Sequence, residues 1–255
     1  MITNLHTHTV RCRHAWDTEE EYIAVAIDNG IKRLGFSDHT PFWFGCDYYS
    51  RFRMYPEQLP DYVDAVLSLR EKHKNTIDIR LGLEAEYYPA YFPELMARLK
   101  DTPVEYLLLG QHFVGNEIGE HYSGRATAVV DILRRYCKQV ADAMYTGHFT
   151  YLAHPDLIHF TGNEKTYRRH MQTVCRAAND CNIPVELNFL GMREGRHYPV
   201  NLFWELAGEE NCTVVLGCDA HSAADLYVQP QEQLARQMAA QYGLRILEEP
   251  EIRAI

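Results

Sequence analysis

Residues 2–30 read ITNLHTHTVRCRHAWDTEEEYIAVAIDNG, and this stretch decides how the rest of the chain is parsed. A short β-type run, ITNLHTH, ends in two histidines, His6 and His8. A polar loop containing His14 follows. A helical pattern comes next: Thr18 can cap it, Glu21 three residues on completes a capping box, and Gly30 ends it. The unit is a strand, a polar loop at the strand's carboxyl end, then a helix.

The unit recurs along the chain. IKRLGFSDH, TIDIRLGLEAEYY, VEYLLLGQHFV, FTYLAHPD, IPVELNF and CTVVLGCDAH read as further strands, each separated from the next by a helical pattern. Seven βα units predict a parallel sheet with helices outside it. An open doubly wound sheet and a closed barrel near TIM-barrel size both fit that count. No GxGxxG follows the first strand, which speaks against dinucleotide binding. With 255 residues, one domain spanning 1–255 accommodates all seven units.

Composition narrows the function classes. Apolar residues make up 46% of the chain, so a large core is expected. No run of about 18 apolar residues predicts a transmembrane helix. The amino terminus lacks a signal-peptide layout, and a cytoplasmic protein is expected. A formal charge of −10 opposes a nucleic-acid partner, which would require a positive field. The 7 cysteines form no CxxC pair and predict free thiols in a reducing compartment. The 13 histidines are the compositional feature that calls for an explanation.

The histidines and carboxylates gather at strand ends. The seven runs end at His6 and His8, Asp38 and His39, Glu84 and Glu86, Gln111 and His112, His154 and Asp156, Glu186 and Asn188, and Asp219 and His221. In a parallel barrel these ends meet on one face, the face that bears active sites. Imidazole and carboxylate are ligands of Zn²⁺, Mn²⁺ and Fe²⁺. Residues two apart on a strand point the same way, so His6 with His8, and Asp219 with His221, can each grip one ion. The donors outnumber what one ion needs, and two or three ions are expected. Closely spaced divalent ions suit displacement at phosphorus or hydrolysis at a carbonyl.

Taken in order, NLHTHT, GFSDHTP, GLEAEYYP, LGQHF, AHPD and GCDAH resemble the motifs of the PHP (polymerase and histidinol phosphatase) superfamily across nearly the whole chain. GLEAEYYP and the length look most like its monofunctional histidinol-phosphate phosphatases. The resemblance implies an α/β fold, a distorted (β/α)7 TIM-like barrel, and a site for three divalent metal ions (Zn, Mn or Fe). Carried over motif by motif, His6, His8, Glu84 and Asp219 would hold the first ion. Glu84, His112 and His154 would hold the second, with Glu84 bridging. His14, His39 and His221 would hold the third, and only the resemblance picks out His14. Glu86 stands outside that set.

The implied reaction is hydrolysis of a small phosphate monoester, with a hydroxide bridging two ions attacking phosphorus. Histidinol phosphate, an intermediate of histidine biosynthesis, is the leading substrate. A nucleotide or sugar phosphate is the alternative, and a non-catalytic metal-binding module a more distant one. Asp38 is the candidate for protonating the leaving group or orienting the water, or else for orienting a ligand histidine. Arg193, after the sixth strand, resembles the family's phosphate-binding arginine, with Arg196 and His197 beside it. The aromatic segment PFWFGCDYYSRFRMYP (41–56) offers Phe42, Trp43, Phe44, Tyr48 and Tyr49 as a lid or pocket wall, or as packing onto the barrel. Asp47 or another carboxylate would pair with a cationic amine.

Overall fold

The computed structural model describes residues 1–255. Strand and helix alternate as the first unit predicts. β1 (Thr3–Asn4) leads to α1 (Glu19–Asp28), β2 (Arg33–His39) to α2 (Leu59–His73), β3 (Asp78–Ala85) to α3 (Phe92–Leu99), and β4 (Tyr106–Leu109) follows. An antiparallel hairpin of β5 (Phe113–Val114) and β6 (His121–Tyr122) precedes α4 (Val130–Tyr145). β7 (Phe149–Leu152) leads to α5 (Glu164–Asp180), and β8 (Val185–Asn188) to α6 (Phe189–Glu194) and α7 (Asn201–Glu209). β9 (Thr213–Gly217), α8 (Gln229–Gln241) and β10 (Arg245–Ile246) complete the chain. The cap of α1 forms as its residues dictate: Glu21 N–H donates to Thr18 Oγ1 (3.4 Å), and Thr18 N–H to Glu21 Oε2 (2.7 Å).

The sheet runs β1-β2-β3-β4-β7-β8-β9-β10, and every pairing in it is parallel. It curls into a distorted barrel in which the seven expected strands are consecutive. The seam closes only at the carboxyl end. There Thr7 bridges Ala220, with His8 N–H donating to Ala220 O (2.9 Å) and Ala220 N–H to His6 O (3.3 Å). At the other end the short β10, absent from the expected count, pairs with β9 instead.

The period of two along each strand separates two cores. Outward residues such as Leu107, Leu109, Val185 and Leu187 join a cluster of 62 buried residues under the helices. Inward residues Leu5, Tyr106, Leu108, Tyr151, Ala153 and Val215 form a separate plug, closed from below by Leu247 and Ile252. Gly82 makes room for that plug, since a side chain there would overlap the Tyr106 ring. Tyr106 Oη donates to Leu5 O at 2.8 Å, which satisfies the buried hydroxyl. Above this apolar floor the inward positions turn polar: Ser37 and His39, Glu84 and Glu86, Glu186 and Asn188 are all buried.

Candidate metal centre

Glu84, at the end of β3 and only 1% exposed, is the hub of the polar layer. Its Oε1 lies 2.8 Å from His154 Nε2, 3.5 Å from His112 Nε2 and 3.6 Å from His6 Nε2. Its Oε2 lies 2.9 Å from His39 Nδ1 and 3.6 Å from His8 Nε2. Asp219, delivered by β9, places Oδ1 3.2 Å from His8 Nε2, 3.6 Å from His6 Nε2 and 3.4 Å from His221 Nδ1. His14 Nε2 and His221 Nε2 stand 2.9 Å apart. All nine expected ligands therefore converge on one end of the barrel. Two of them, His154 (φ 27°) and Asp219 (φ 47°), sit in left-handed backbone two residues past their strands. For non-glycine residues that conformation is strained by about 1–3 kcal/mol and collects at functional sites.

Several of these atoms lack a partner despite burial. His6 Nε2, both ring nitrogens of His8, His39 Nδ1 and Glu84 Oε2 make no hydrogen bond. Unsatisfied buried polar atoms are costly, and a divalent cation takes up carboxylate oxygens and one deprotonated nitrogen of each ring turned to a shared point. Donor sets within reach of one ion include His6, His8 and Asp219; His6, Glu84 and His154; His8, His39 and Glu84; and His14, His39 and His221. The last is the expected third set without change, and the others share members of the first two. Nitrogen and carboxylate donors of this kind fit zinc, manganese or iron.

The residues behind the ligands fix which ring nitrogen faces inward. His6 Nδ1–H donates to Glu186 Oε1 (2.8 Å), His112 Nδ1–H to Glu86 Oε1 (2.9 Å) and His14 Nδ1–H to Cys12 O (3.0 Å). Glu186 also accepts His154 N–H (3.0 Å) and Asn188 Nδ2 (2.9 Å). It ends the sixth strand at the expected place, and the i+2 pair Glu186 and Asn188 was its only sequence signal.

The electrostatics follow from crowding. Burial pushes the Glu84 carboxyl up, but the charges of His112, His39 and His6 outweigh it and hold the group well below the usual carboxylate range. Asp219 is held low in the same way, by His6 and His8 against burial. Burial lowers His8, but the adjacent carboxylates of Asp219 (3.2 Å) and Asp38 (3.6 Å) and the charge of Glu84 bring it up to about 9. Burial and the neighbouring His8 charge push His14, His39 and His221 down.

Three expectations need correction. Asp38 does not face the cavity. It is fully buried behind the ligands, accepts Thr9 Oγ1–H and His39 N–H (2.8 Å), and lies 3.6 Å from His8 Nδ1. That geometry suits orienting His8, not protonating a leaving group. Arg193 does not line the cavity either, because the stretch after β8 is helix α6 and not a loop. Asn188 caps α6 by accepting Gly191 N–H (3.1 Å), and the last turn directs Arg193 Nε to Asp225 Oδ1 (2.9 Å). The chain then reverses at Gly195 (φ 62°), and Arg196 reaches the cavity instead. His197 points away, with Nε2 on Leu157 O (2.8 Å) and its ring stacked on His159.

The cavity above the cluster has a volume of about 580 Å³. His14, His39, His112, His154, Asp219 and His221 form its floor. Trp16, Phe52, Phe113, Tyr122, Tyr198, Leu157 and Leu190 form apolar walls, and Glu194 and Arg196 stand at one side. Of the aromatic segment only Phe52 faces this space; Phe42 and Phe44 are buried in the main core. The residues expected as a lid thus mostly pack onto the barrel. Asp47 is exposed and outside the lining.

Comparison with known proteins agrees with this architecture. The model of the PHP domain matches residues 4–189, a span from the first strand to the end of the sixth. The chain belongs to the PHP domain family. A probable histidinol-phosphatase from Deinococcus radiodurans is 29% identical over 240 residues, covering 88% of each chain. A probable phosphatase from Shewanella pealeana is 27% identical over 228 residues, covering 88% of this chain and 79% of its own. The crystal structure of histidinol phosphate phosphatase from Lactococcus lactis, complexed with zinc, L-histidinol and phosphate, superposes with a TM-score of 0.74. It covers 98% of this chain and 97% of its own at 17% identity, and so shows a shared fold. No helix is long and apolar enough to cross a membrane.

Proposed function

We propose that this PHP protein is a metal-dependent phosphate monoester hydrolase whose substrate is histidinol phosphate. The observation that carries the reading is the set of unpartnered, buried imidazole and carboxylate atoms in and beneath the floor of a cavity whose wall supplies an arginine. His6, His8, Glu84 and Asp219 would hold one divalent ion, Glu84, His112 and His154 a second, and His14, His39 and His221 a third. Bound there, such ions lower the pKa of water toward about 7 and neutralise phosphoryl oxygens.

The chain's own residues complete the site. Arg196 offers a forked, permanently charged donor to a phosphate above the floor. At rest it pairs with Glu194 Oε2 (2.7 Å) and reaches Tyr198 Oη (3.4 Å). A phosphate that takes over Arg196 frees the Glu194 carboxylate for a cation. Of the other lining carboxylates, Asp219 belongs to the floor. Asp225 is engaged by Arg193 and by His221 N–H and Ser222 N–H, each at 2.9 Å. Glu194 is thus the carboxylate free to meet an ammonium group. The aromatic walls suit an imidazole ring. The relatives named as histidinol phosphatases support this substrate over other monoesters.

The test is phosphate release from histidinol phosphate, nucleotide monophosphates and sugar phosphates, with added Mn²⁺, Zn²⁺ or Fe²⁺ and after chelation. Turnover is expected to be highest on histidinol phosphate and to vanish with chelator. Faster release from another ester overturns the substrate, and full activity after complete metal removal overturns the mechanism.

A further inference from the structure

Arg53 is completely buried, an unusual place for a guanidinium. It lies in the aromatic segment, distant in sequence from every ligand motif. Its Nη1 donates to Thr40 O (2.7 Å) and Glu86 Oε2 (3.1 Å), and its Nη2 to Glu86 Oε1 (2.9 Å) and Glu117 Oε2 (2.6 Å). The guanidinium also stacks on the rings of Phe52 (4.5 Å) and Phe42 (5.1 Å).

Three of these five partners, Glu86, Thr40 and Phe52, lead to the cluster. Glu86 Oε1 is shared between Arg53 and His112 Nδ1–H, both at 2.9 Å. Thr40 directly follows His39. Phe52 meets His39 edge-on (5.2 Å, 88°) and lies 5.9 Å from the His112 ring. Glu117 and Phe42 are the exceptions: Glu117 bonds Arg53 and Phe42 packs in the main core, and neither leads on to a ligand.

We propose that Arg53 is a positioning residue: through Glu86 it sets the tautomer and ring orientation of His112, and through Phe52 it holds the cavity wall against the same ring. Without the guanidinium, Glu86 is a buried carboxylate with one donor, and its hydrogen bond to His112 loses the charge balance that keeps it in place. A lysine cannot replace the arginine, because one ammonium cannot span two carboxylate oxygens and a carbonyl in the same plane. The inference rests on the metal-centre reading only for its effect on metal. The Arg53–Glu86–His112 chain is a property of the metal-free protein.

The test therefore has two parts. In chelator-stripped, ¹⁵N-histidine-labelled protein, the His112 Nδ1–H resonance is identified by its loss in His112→Gln. It is expected to be slow to exchange in wild type and Glu117→Gln, and exchange-broadened in Glu86→Gln and Arg53→Lys. In metal titrations, Glu86→Gln and Arg53→Lys each weaken uptake of one ion by about 10–100-fold, the usual effect of removing a residue that orients a ligand. The double variant loses no more than the worse single one, because both act on one contact. Glu117→Gln weakens uptake by less than either. An unchanged His112 resonance or metal affinity in Arg53→Lys overturns the proposal. If Arg53→Lys does not fold, equal losses in Glu86→Gln and Glu117→Gln overturn it. A wild-type protein that takes up no metal but shows the expected resonances refutes the metal-centre reading and leaves the Arg53 chain standing.

Discussion

Gly110→Ala isolates the role of Glu84 without altering a ligand. Gly110 follows β4 beside the Glu84 side chain and does not need left-handed backbone. An alanine therefore fits the backbone, and its effect is steric. The new Cβ would stand 2.5 Å from Glu84 Cδ and 2.8 Å from Cγ, where ordinary contact begins at 3.4 Å. Glu84 Oε1 would lie closer still, so the carboxylate must swing away by about 1.5 Å, since backbone on both sides is locked in the sheet. A shift of that size takes the 2.8 Å contact with His154 out of hydrogen-bond range. Overpacking of this kind costs about 1–3 kcal/mol. At roughly 2–4 °C per kcal/mol for a chain of this size, the melting temperature should fall by about 2–12 °C. Isothermal titration of the stripped variant with Zn²⁺ should show loss of the ions that share Glu84. The ion of His14, His39 and His221, which does not, should remain. Gly217→Ala is the matched control: its Cβ would stand 2.5 Å from Glu186 Cδ, and Glu186 supports the ligands from behind. It should weaken uptake by about 10–100-fold without abolishing it. Wild-type stoichiometry and affinity in Gly110→Ala would refute Glu84 as the shared ligand.

Arg196→Ala should raise KM for a phosphomonoester by at least tenfold with metal content intact. Arg193→Ala should instead act through Asp225, which holds the His221 backbone, and lower metal content more than it raises KM; a mirror-image result in steady-state kinetics and metal analysis would reverse their roles. Glu194→Gln should raise KM for histidinol phosphate but not for an uncharged phosphomonoester of similar size, and equal effects on both would remove Glu194 from amine recognition. The pH dependence follows from His8, which in the metal-free protein holds a proton up to about 9. Its folded value lies above the ordinary 6.5, so its protonation stabilises the metal-free fold at low pH, and that contribution is lost as pH rises through about 9. Metal must displace this proton, so affinity should climb with pH between 6.5 and 9. Titrations at pH 7.5 in buffers of different ionisation enthalpy should report proton release on metal uptake; none at all would contradict the assignment.

Much of this protein is legible in one dimension because its chemistry is periodic. Alternating strand and helix patterns imply a parallel sheet, and polar residues at every strand end imply one functional rim. His6, His8, His39, Glu84, His112, His154, Asp219 and His221 belong to that class. His14 lies in a loop, and only likeness to a family drew attention to it. What tertiary structure decided lies off the strands or depends on a turn. A capped helix and a left-handed glycine between them exchange Arg193 for Arg196 at the cavity. Asp38 alternates out of the rim and behind His8, although it adjoins a ligand in sequence. Arg53 and Phe52 reach the cluster from a segment with no periodicity, so nothing local marks them. Strand register is written in the sequence because each side chain's direction follows from its neighbour's. A buried arginine's partners come from three separate segments, and only the folded chain brings those together.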